Sequence, residues 1–219
     1  VIKATITNNR VNTNAMETRT SIGLYDQGEQ KYTLYGGNQG PNRVREEIAH
    51  ELLKVSEAKL QVIAPDVGGG FGMKGGAFGE DILVLWGAKA TGRPVKWVGD
   101  RLESFMSDSH GRDVIADCEM AFDDDGKITG LRISADYNVG AYLSPNAGVS
   151  PMFFSILLSG VYAIPAIDVT TRCLFTNMGA TAPYRGAGRP EAAYILERLL
   201  DIASRELDID PIEISRRNL

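Results

Sequence analysis

The run "DVGGGFGMKGG", residues 66–76, carries six glycines in eleven positions. Residues without side chains bury almost no apolar surface, so this stretch cannot belong to a packed core. Glycine at this density marks backbone that must take left-handed conformations or come close to another group. The run also sets the order of its neighbours. "KLQVIAP" before it reads as a strand, and "AFGEDILVLWGAKATGRP" after it reads as an apolar helix. Glu80 and Asp81 sit in that helix's first turn, Gly92 provides the stop and Pro94 lies beyond.

The remaining segments follow the same logic. From Val1 to Tyr35, short alternating stretches broken by "NNR" and "DQGEQ" predict strands and turns. "NRVREEIAHELLKV" places Val44, Ile48, Leu52 and Val55 at helical spacing, with Pro41 near the start. "RPVKWVGD" is a strand candidate, and residues 113–142 read as a hairpin turning at Asp125–Gly126. The region after the hairpin is poorly patterned. "IDVTTRCLFTN" follows as a strand, and "EAAYILERLLDIASREL" as an amphipathic helix using Ile195, Leu196, Leu199, Leu200, Ile202, Ala203 and Leu207. Strands and helices mix without a βαβ rhythm, which predicts an α+β fold. The chain begins at Val1 without Met, and Asp210, Pro211 and Glu213 start a new helix just before it stops. Residues 1–219 therefore read as a piece of a longer polypeptide, truncated at both ends.

Composition narrows the function classes. A net charge of −5 with no long basic run argues against a nucleic-acid surface. The most apolar stretch, Met152 to Ile164, is shorter than the roughly 18 residues that a membrane span needs and contains two serines and a glycine. Cys118 and Cys173 are far apart, which predicts two buried free thiols in a reducing cytoplasm. His50 and His110 are isolated, so no metal ligation by protein side chains is expected.

Three polar, glycine-rich segments stand directly before predicted helices: "GGNQGP", "VGGGFGMKGG" and "PYRGAGRP". A helix start offers free N–H groups and a partial positive charge, and glycine lets a ligand approach them. Gln39, Arg185 and Arg189 add side-chain donors. Convergence of the three starts predicts a pocket for an anionic, oxygen-rich ligand. Gly70, Gly72 and Gly75 also satisfy GxGxxG, with Asp100 ending the next strand candidate, so an NAD- or FAD-binding domain is an alternative. Pro65 and Asp66 interrupt the strand ahead of these glycines. A P-loop fails, because Gly75 and Gly76 follow Lys74 where Ser or Thr is needed. A non-catalytic interaction module, its glycine loops merely turns, is the second alternative.

Taken together, "NQGPNRVRE", "DVGGGFGMK" and "APYRGAGRPEAAYILERLLD" resemble the molybdenum-binding subunit of the molybdenum hydroxylases, the xanthine dehydrogenase, aldehyde oxidoreductase and carbon monoxide dehydrogenase family. "NNRVNTNAMETR", "TGRPVKWVGDRLESF", "HGRDVIADCEMAFDDDGKITGLRISADYNVGAY" and "DPIEISRRNL" extend the resemblance over the whole chain. It implies a molybdenum–pterin cofactor, in some members a cytosine dinucleotide, with no protein ligand to the metal. The implied reaction hydroxylates an aldehyde or N-heterocycle with oxygen from water, and electrons leave through iron–sulfur clusters and flavin on other domains or subunits.

By the same resemblance, Gln39 hydrogen-bonds an oxo ligand, and Gly69, Gly70, Phe71 and Gly72 lie against the metal centre and pterin. Arg185 faces the substrate, and Gly186 and Gly188 permit close approach. Three departures refine the expectation. Gly186 stands where carbon monoxide dehydrogenases carry the copper-binding cysteine, which argues against carbon monoxide oxidation. Gly75 stands near the place of the purine-facing glutamate, which argues against purines. No GxGE-like segment supplies the catalytic glutamate; Glu80, Asp81 and Glu191 fall in helix first turns, where dipole compensation accounts for them. The 219 residues alone are expected to be inactive.

Overall fold

A computed structural model describes residues 1–219. The chain forms two compact units, one of residues 1–11 and 110–219, the other of residues 12–109. Two short strands, β2 (Val11–Asn12) and β7 (His110–Gly111), lie where the chain passes from one unit to the other. Strands and helices are mixed in both units, and the fold is α+β as the sequence predicts.

The first unit is built on a four-stranded sheet of β1 (Ile2–Asn8), β8 (Val114–Phe122), β9 (Ile128–Gly140) and β10 (Ile167–Phe175), in the order β1-β8-β9-β10. The first three pair antiparallel and β10 joins β9 in parallel. Strand alternation divides its faces. Along β8, Val114, Ala116, Cys118 and Met120 point inward and are buried. The opposite face carries exposed ion pairs such as Lys3–Glu119 and Arg172–Asp136. The turn between β8 and β9 is the predicted one: Gly126 has φ +77°, and the Asp123 carboxylate accepts from Asp125 N–H and Lys127 N–H.

Helices cover the apolar face. α5 (Arg189–Glu206) packs on β1 and β8 through Ile195, Leu196, Leu199 and Leu200, all fully buried. Ile202 packs only at the margin and Leu207 is exposed, so the buried stripe is narrower than the predicted one. α4 (Val149–Ile156) inserts Phe154 into this core from the region whose sequence shows little pattern. α6 (Pro211–Arg217) has Asp210 accepting from Ile212 N–H and Glu213 N–H, as expected. It runs for seven residues, about two turns. Its Ile214 is buried, and the Asn218 side chain takes Ile128 N–H and donates to Gly126 O, tying the helix to the hairpin turn.

The second unit has a sheet in the order β5-β4-β3-β6, from β3 (Thr20–Asp26), β4 (Lys31–Gly36), β5 (Leu60–Ile63) and β6 (Val95–Val98). α2 (Gly79–Thr91) lies across it, ending at Gly92 in the left-handed conformation as predicted. Gly23 of β3 is the contact point, since any Cβ there would meet the Val84 carbonyl of α2. α1 (Pro41–Glu46) is shorter than expected and continues as π-helical turns over Glu47–Leu53. Wider turns change the angular step, so Ile48 and Ala49 are buried while Leu52 is exposed and Val55 lies outside the helix. Asp100 caps α3 (Arg101–Ser107) by accepting from Glu103 N–H, a local duty that explains this acid without a ribose.

The prediction of two buried thiols is half corrected. Cys118 is buried, but Cys173 is exposed, because β10 is the last strand of its sheet. Burial pushes the Cys118 thiol up to about 12. The thiolate is the reactive form, so Cys118 is inert near pH 8. Titration of the folded protein with an aromatic disulfide reagent at pH 8 is therefore expected to modify Cys173 alone, and Cys118 only after unfolding. Two thiols reacting at equal rates would contradict this packing.

Candidate functional site

Within the second unit, two of the three glycine-rich loops meet. The Gln39 side chain lies over the backbone of residues 69–72, and its Oε1 accepts from Gly72 N–H at 2.7 Å. An added Cβ on Gly70 would stand 2.5 Å from the Gln39 Cγ, Cδ and Oε1, so the space of that missing side chain holds Gln39. A second bond, Gln39 N–H to Lys74 O at 2.9 Å, fixes the register of the two loops. Seating Oε1 on a backbone donor leaves the Nε2 amide protons as the free end of an exposed side chain.

Glu17 accounts for much of the remaining glycine. Its N–H donates to Gly68 O, and its Oε2 accepts from Gly68 N–H at 3.0 Å and Lys74 Nζ at 2.8 Å. A Cβ on Gly68 would fall 2.5 Å from the Glu17 Cβ, and one on Gly37 would fall 2.8 Å from its Oε2. Lys74 is 1% exposed and also donates to Glu17 O, so it is a buried brace. Gly69 has φ +104°, Phe71 +52° and Gly72 +98°. Phe71 thus holds a left-handed conformation that a bulky residue rarely adopts, and the residue is 42% exposed. An apolar ring kept in the open at a strained position is one of the site's marks.

The base of these loops is held by residues that no local sequence signal marks. Arg19 is buried and pairs with Asp108 and Glu80 at 2.5 Å each, its guanidinium 4.1 Å over the Phe78 ring. The Asp81 carboxylate accepts from Ser21 and from Phe78 N–H. Burial pushes the Asp81 carboxyl up, against those hydrogen bonds. The start of α2 is therefore closed by its own acid and does not stand open to an anion.

The third loop belongs to the first unit. Gly186, Ala187 and Gly188 have successive φ values of +99°, +43° and +87° and lead straight into α5. Gly188 is fixed by contact, since a Cβ there would strike the Ser150 carbonyl and come within 2.5 Å of Phe154 N. Arg189 caps the loop, its Nη1 donating to Gly186 O at 3.1 Å while its guanidinium lies 4.5 Å over the Phe153 ring. Arg185 is exposed. Dipole compensation does not suffice for Glu191, which is fully buried and paired with Arg112 at 3.1 Å. Nor does it for Glu80, which is paired with Arg19.

Gly70, Gly72 and Gly75 do not make the tight strand–turn–helix of a dinucleotide site. Gly70 is covered by Gln39, the Gly72 N–H is taken by Gln39, and β5 is an edge strand outside any doubly wound sheet. Residues 37–40, 68–76 and 182–189 contain no Asp, Glu, His or Cys. In the second unit the exposed donor is the Gln39 amide, and in the first it is the Arg185 guanidinium. Each suits contact with an oxygen-rich, anionic group that brings its own metal ligands, and none of these loops offers a side chain that would hold a metal.

Comparison with known proteins agrees with this chemistry. The sequence model of one family, described as a molybdopterin cofactor-binding domain, matches residues 1–219. The chain is 32% identical over its full length to the 6-hydroxypseudooxynicotine dehydrogenase complex subunit gamma of Paenarthrobacter nicotinovorans, covering 27% of that protein. It is 34% identical to the carbon monoxide dehydrogenase large chain of Hydrogenophaga pseudoflava, with 95% of this chain and 26% of that one matched. The crystal structure of quinoline 2-oxidoreductase from Pseudomonas putida 86 superposes with a TM-score of 0.94 at 33% identity, over 100% of this chain and 28% of that chain. The chain thus spans about a quarter of the length of these relatives.

The two kinds of glycine predict different costs. At Gly70 the obstacle is a flexible side chain, so Gly70→Ala is expected to displace Gln39 and cost about 1 kcal/mol, the scale of one hydrogen bond. At Gly188 the obstacles are backbone atoms at positive φ, so Gly188→Ala is expected to cost about 3 kcal/mol or more. Urea melts of the two variants check the order, and equal stabilities would contradict it.

Proposed function

Because the chain belongs to the molybdopterin cofactor-binding domain family, we propose that it is the cofactor-facing part of a molybdenum hydroxylase large subunit. On this reading residues 1–219 lie within a longer polypeptide, which supplies the other cofactor contacts and the glutamate base, and are inactive alone. The bound molybdenum–pterin group supplies the redox chemistry that hydroxylates an aldehyde or N-heterocycle with oxygen derived from water. Iron–sulfur clusters and flavin on other domains or subunits take the electrons. The proposed setting is the reducing cytoplasm, where Cys118 and Cys173 remain thiols. No helix of the chain is long and apolar enough to cross a membrane.

The observation that carries the reading is the seat of Gln39. Gly72 N–H holds Oε1, so the amide presents N–H donors outward, the correct polarity for an oxo ligand. Phe71 and the backbone of Gly69, Gly70 and Gly72 form the surface beside that amide. Arg185 contributes a fixed positive charge toward the substrate, where it stabilises negative charge developing in the transition state. Gly186 and Gly188 keep the backbone around it low.

The third loop and the relatives support a reading of the substrate class. A Cβ on Gly186 would stand 2.6 Å from the Pro190 Cγ, and φ is +99°, so no cysteine fits there without rearrangement. This separates the chain from a molybdenum–copper centre despite its 34% identity to a carbon monoxide dehydrogenase large chain. Gly75 gives a purine no carboxylate partner. Names such as nicotine 6-hydroxylase and quinoline 2-oxidoreductase among the relatives favour an N-heterocycle.

The test is to purify the full-length protein that contains this chain and assay molybdenum, pterin and hydroxylation of N-heterocycles. Gln39→Glu keeps an oxygen on Gly72 N–H but removes the outward donors. It is expected to lower kcat by about 10²- to 10³-fold, the scale of one lost transition-state donor, with cofactor content retained. A protein without molybdenum, or a variant with full kcat, would overturn the reading.

A further inference from the structure

Arg112 stands just before β8, outside the three loops, yet two bonds join it to the third of them and one to the first turn of α5 that follows it. Its Nη1 donates to Tyr184 O at 2.9 Å and to Glu191 Oε2 at 3.1 Å, and its Nη2 donates to Arg185 O at 2.9 Å. One planar guanidinium thus grips two consecutive carbonyls and a carboxylate at once, a geometry that lysine cannot reproduce. The same guanidinium lies 4.9 Å over the Tyr184 ring.

The surroundings are costly to maintain. Glu191 is fully buried, and its Oε1 has no hydrogen-bond partner. The Tyr137 hydroxyl is also buried without a partner, and burial, reinforced by the charge of Glu191, pushes its pKa up. Arg112 and Asp113 have φ of +64° and +70°, two successive non-glycine residues in the left-handed region. Arg10 holds this turn from the other side, pairing with Asp113 at 2.6 Å and donating to Gly179 O. Gly111 has no room for a side chain, because a Cβ would strike the Tyr184 Cβ. Stability alone is poorly served by a buried ion pair with an orphaned oxygen beside two strained residues. What the pair does hold is the main chain at Tyr184 and Arg185, through the two bonds from Arg112.

We propose that Arg112, held by Glu191, is a positioning residue that fixes the main chain at Tyr184–Arg185 and so sets the direction in which the Arg185 guanidinium is presented. The inference rests on the reading of Arg185 as substrate-facing. Arg112 touches neither substrate nor cofactor; it acts through Arg185. Glu191 serves as the counter-charge that keeps Arg112 in place.

The experiment uses the full-length enzyme and the variants Arg112→Lys, Glu191→Gln and Arg185→Met. Two quantities are read: kcat per bound molybdenum, and hydrogen exchange of the Ala187 amide, which donates to Tyr184 O at 2.9 Å. Exchange is also measured on cofactor-free protein. Arg112→Lys and Glu191→Gln are expected to lower kcat per molybdenum about tenfold or more, with little change in KM. Ala187 exchange is expected to rise about tenfold, while the β8–β9 amides keep their protection. If Arg112→Lys does not fold, Glu191→Gln decides. Should Arg185→Met lose activity while the other two keep kcat per molybdenum and Ala187 protection, the positioning role is wrong and the reading of Arg185 stands. A fall in activity matched by an equal fall in molybdenum content also removes the positioning role. Full activity in Arg185→Met overturns the reading of Arg185 and this inference with it.

Discussion

The seat of Gln39 is the contact on which the two glycine-rich loops of the second unit depend. The side chain fills the space of an absent residue-70 Cβ, its Oε1 takes the Gly72 N–H, and its own N–H reaches Lys74 O. Each bond is ordinary in strength. Their joint effect is geometric, because an amide with one end satisfied by the backbone has a defined free end. Gly69 and Gly72 supply the positive φ angles that let residues 69–72 curl beneath it, and Phe71 is carried into the same conformation between them. The density of glycine is therefore set largely by the protein's own side chains, Gln39 above and Glu17 beside.

A second regularity runs through both units. Buried cations act as clamps on main chain or on acids remote in sequence. Lys74 holds Glu17 and its carbonyl, Arg19 holds Asp108 and Glu80, and Arg112 holds the Tyr184 and Arg185 carbonyls with Glu191. A buried charge is expensive unless it is paired and hydrogen-bonded, so each clamp is firm where it exists. Loops rich in glycine lose more conformational freedom on folding than any others, and clamps of this kind offset that loss where no apolar core can.

Much of the scaffold was legible because its signals are local. The Asp125–Gly126 turn, the Gly92 stop of α2, the Asp210 cap of α6 and the apolar stripe of α5 each lie within a few residues of what they determine. What escaped the sequence depends on distant partners or on altered backbone geometry. Leu52 fits a helical stripe but is turned outward by the π-helical register. Cys173 is apolar enough for a core but falls on an edge strand. α4 lies in a stretch of Ser, Pro, Gly and large apolar residues whose one fully buried aromatic, Phe154, is defined by α5 and the sheet. The same holds for the site. Gln39, Phe71 and Arg185 stood out by residue type beside glycine, whereas Glu17, Arg112 and Glu191 did not, since their partners lie 51 to 79 positions away.

The division between scaffold and loops also bears on how related chains differ. An aldehyde oxidoreductase structure with only 21% identity still superposes with a TM-score of 0.88, so the fold tolerates replacement of most of its residues. The scaffold therefore fixes where a loop stands, and a small number of loop residues decide what it presents. In the third loop Gly188 is held by backbone atoms of α4, so its main chain has little freedom to move. Gly186, two residues earlier, faces only the ring of Pro190. A change at the first position disturbs the packing of α4 against α5, whereas a change at the second, also at positive φ, meets the Pro190 ring at the start of α5. Neither glycine takes a side chain without rearrangement, but the obstacle at Gly186 is one local ring and the obstacle at Gly188 is the main chain of another helix.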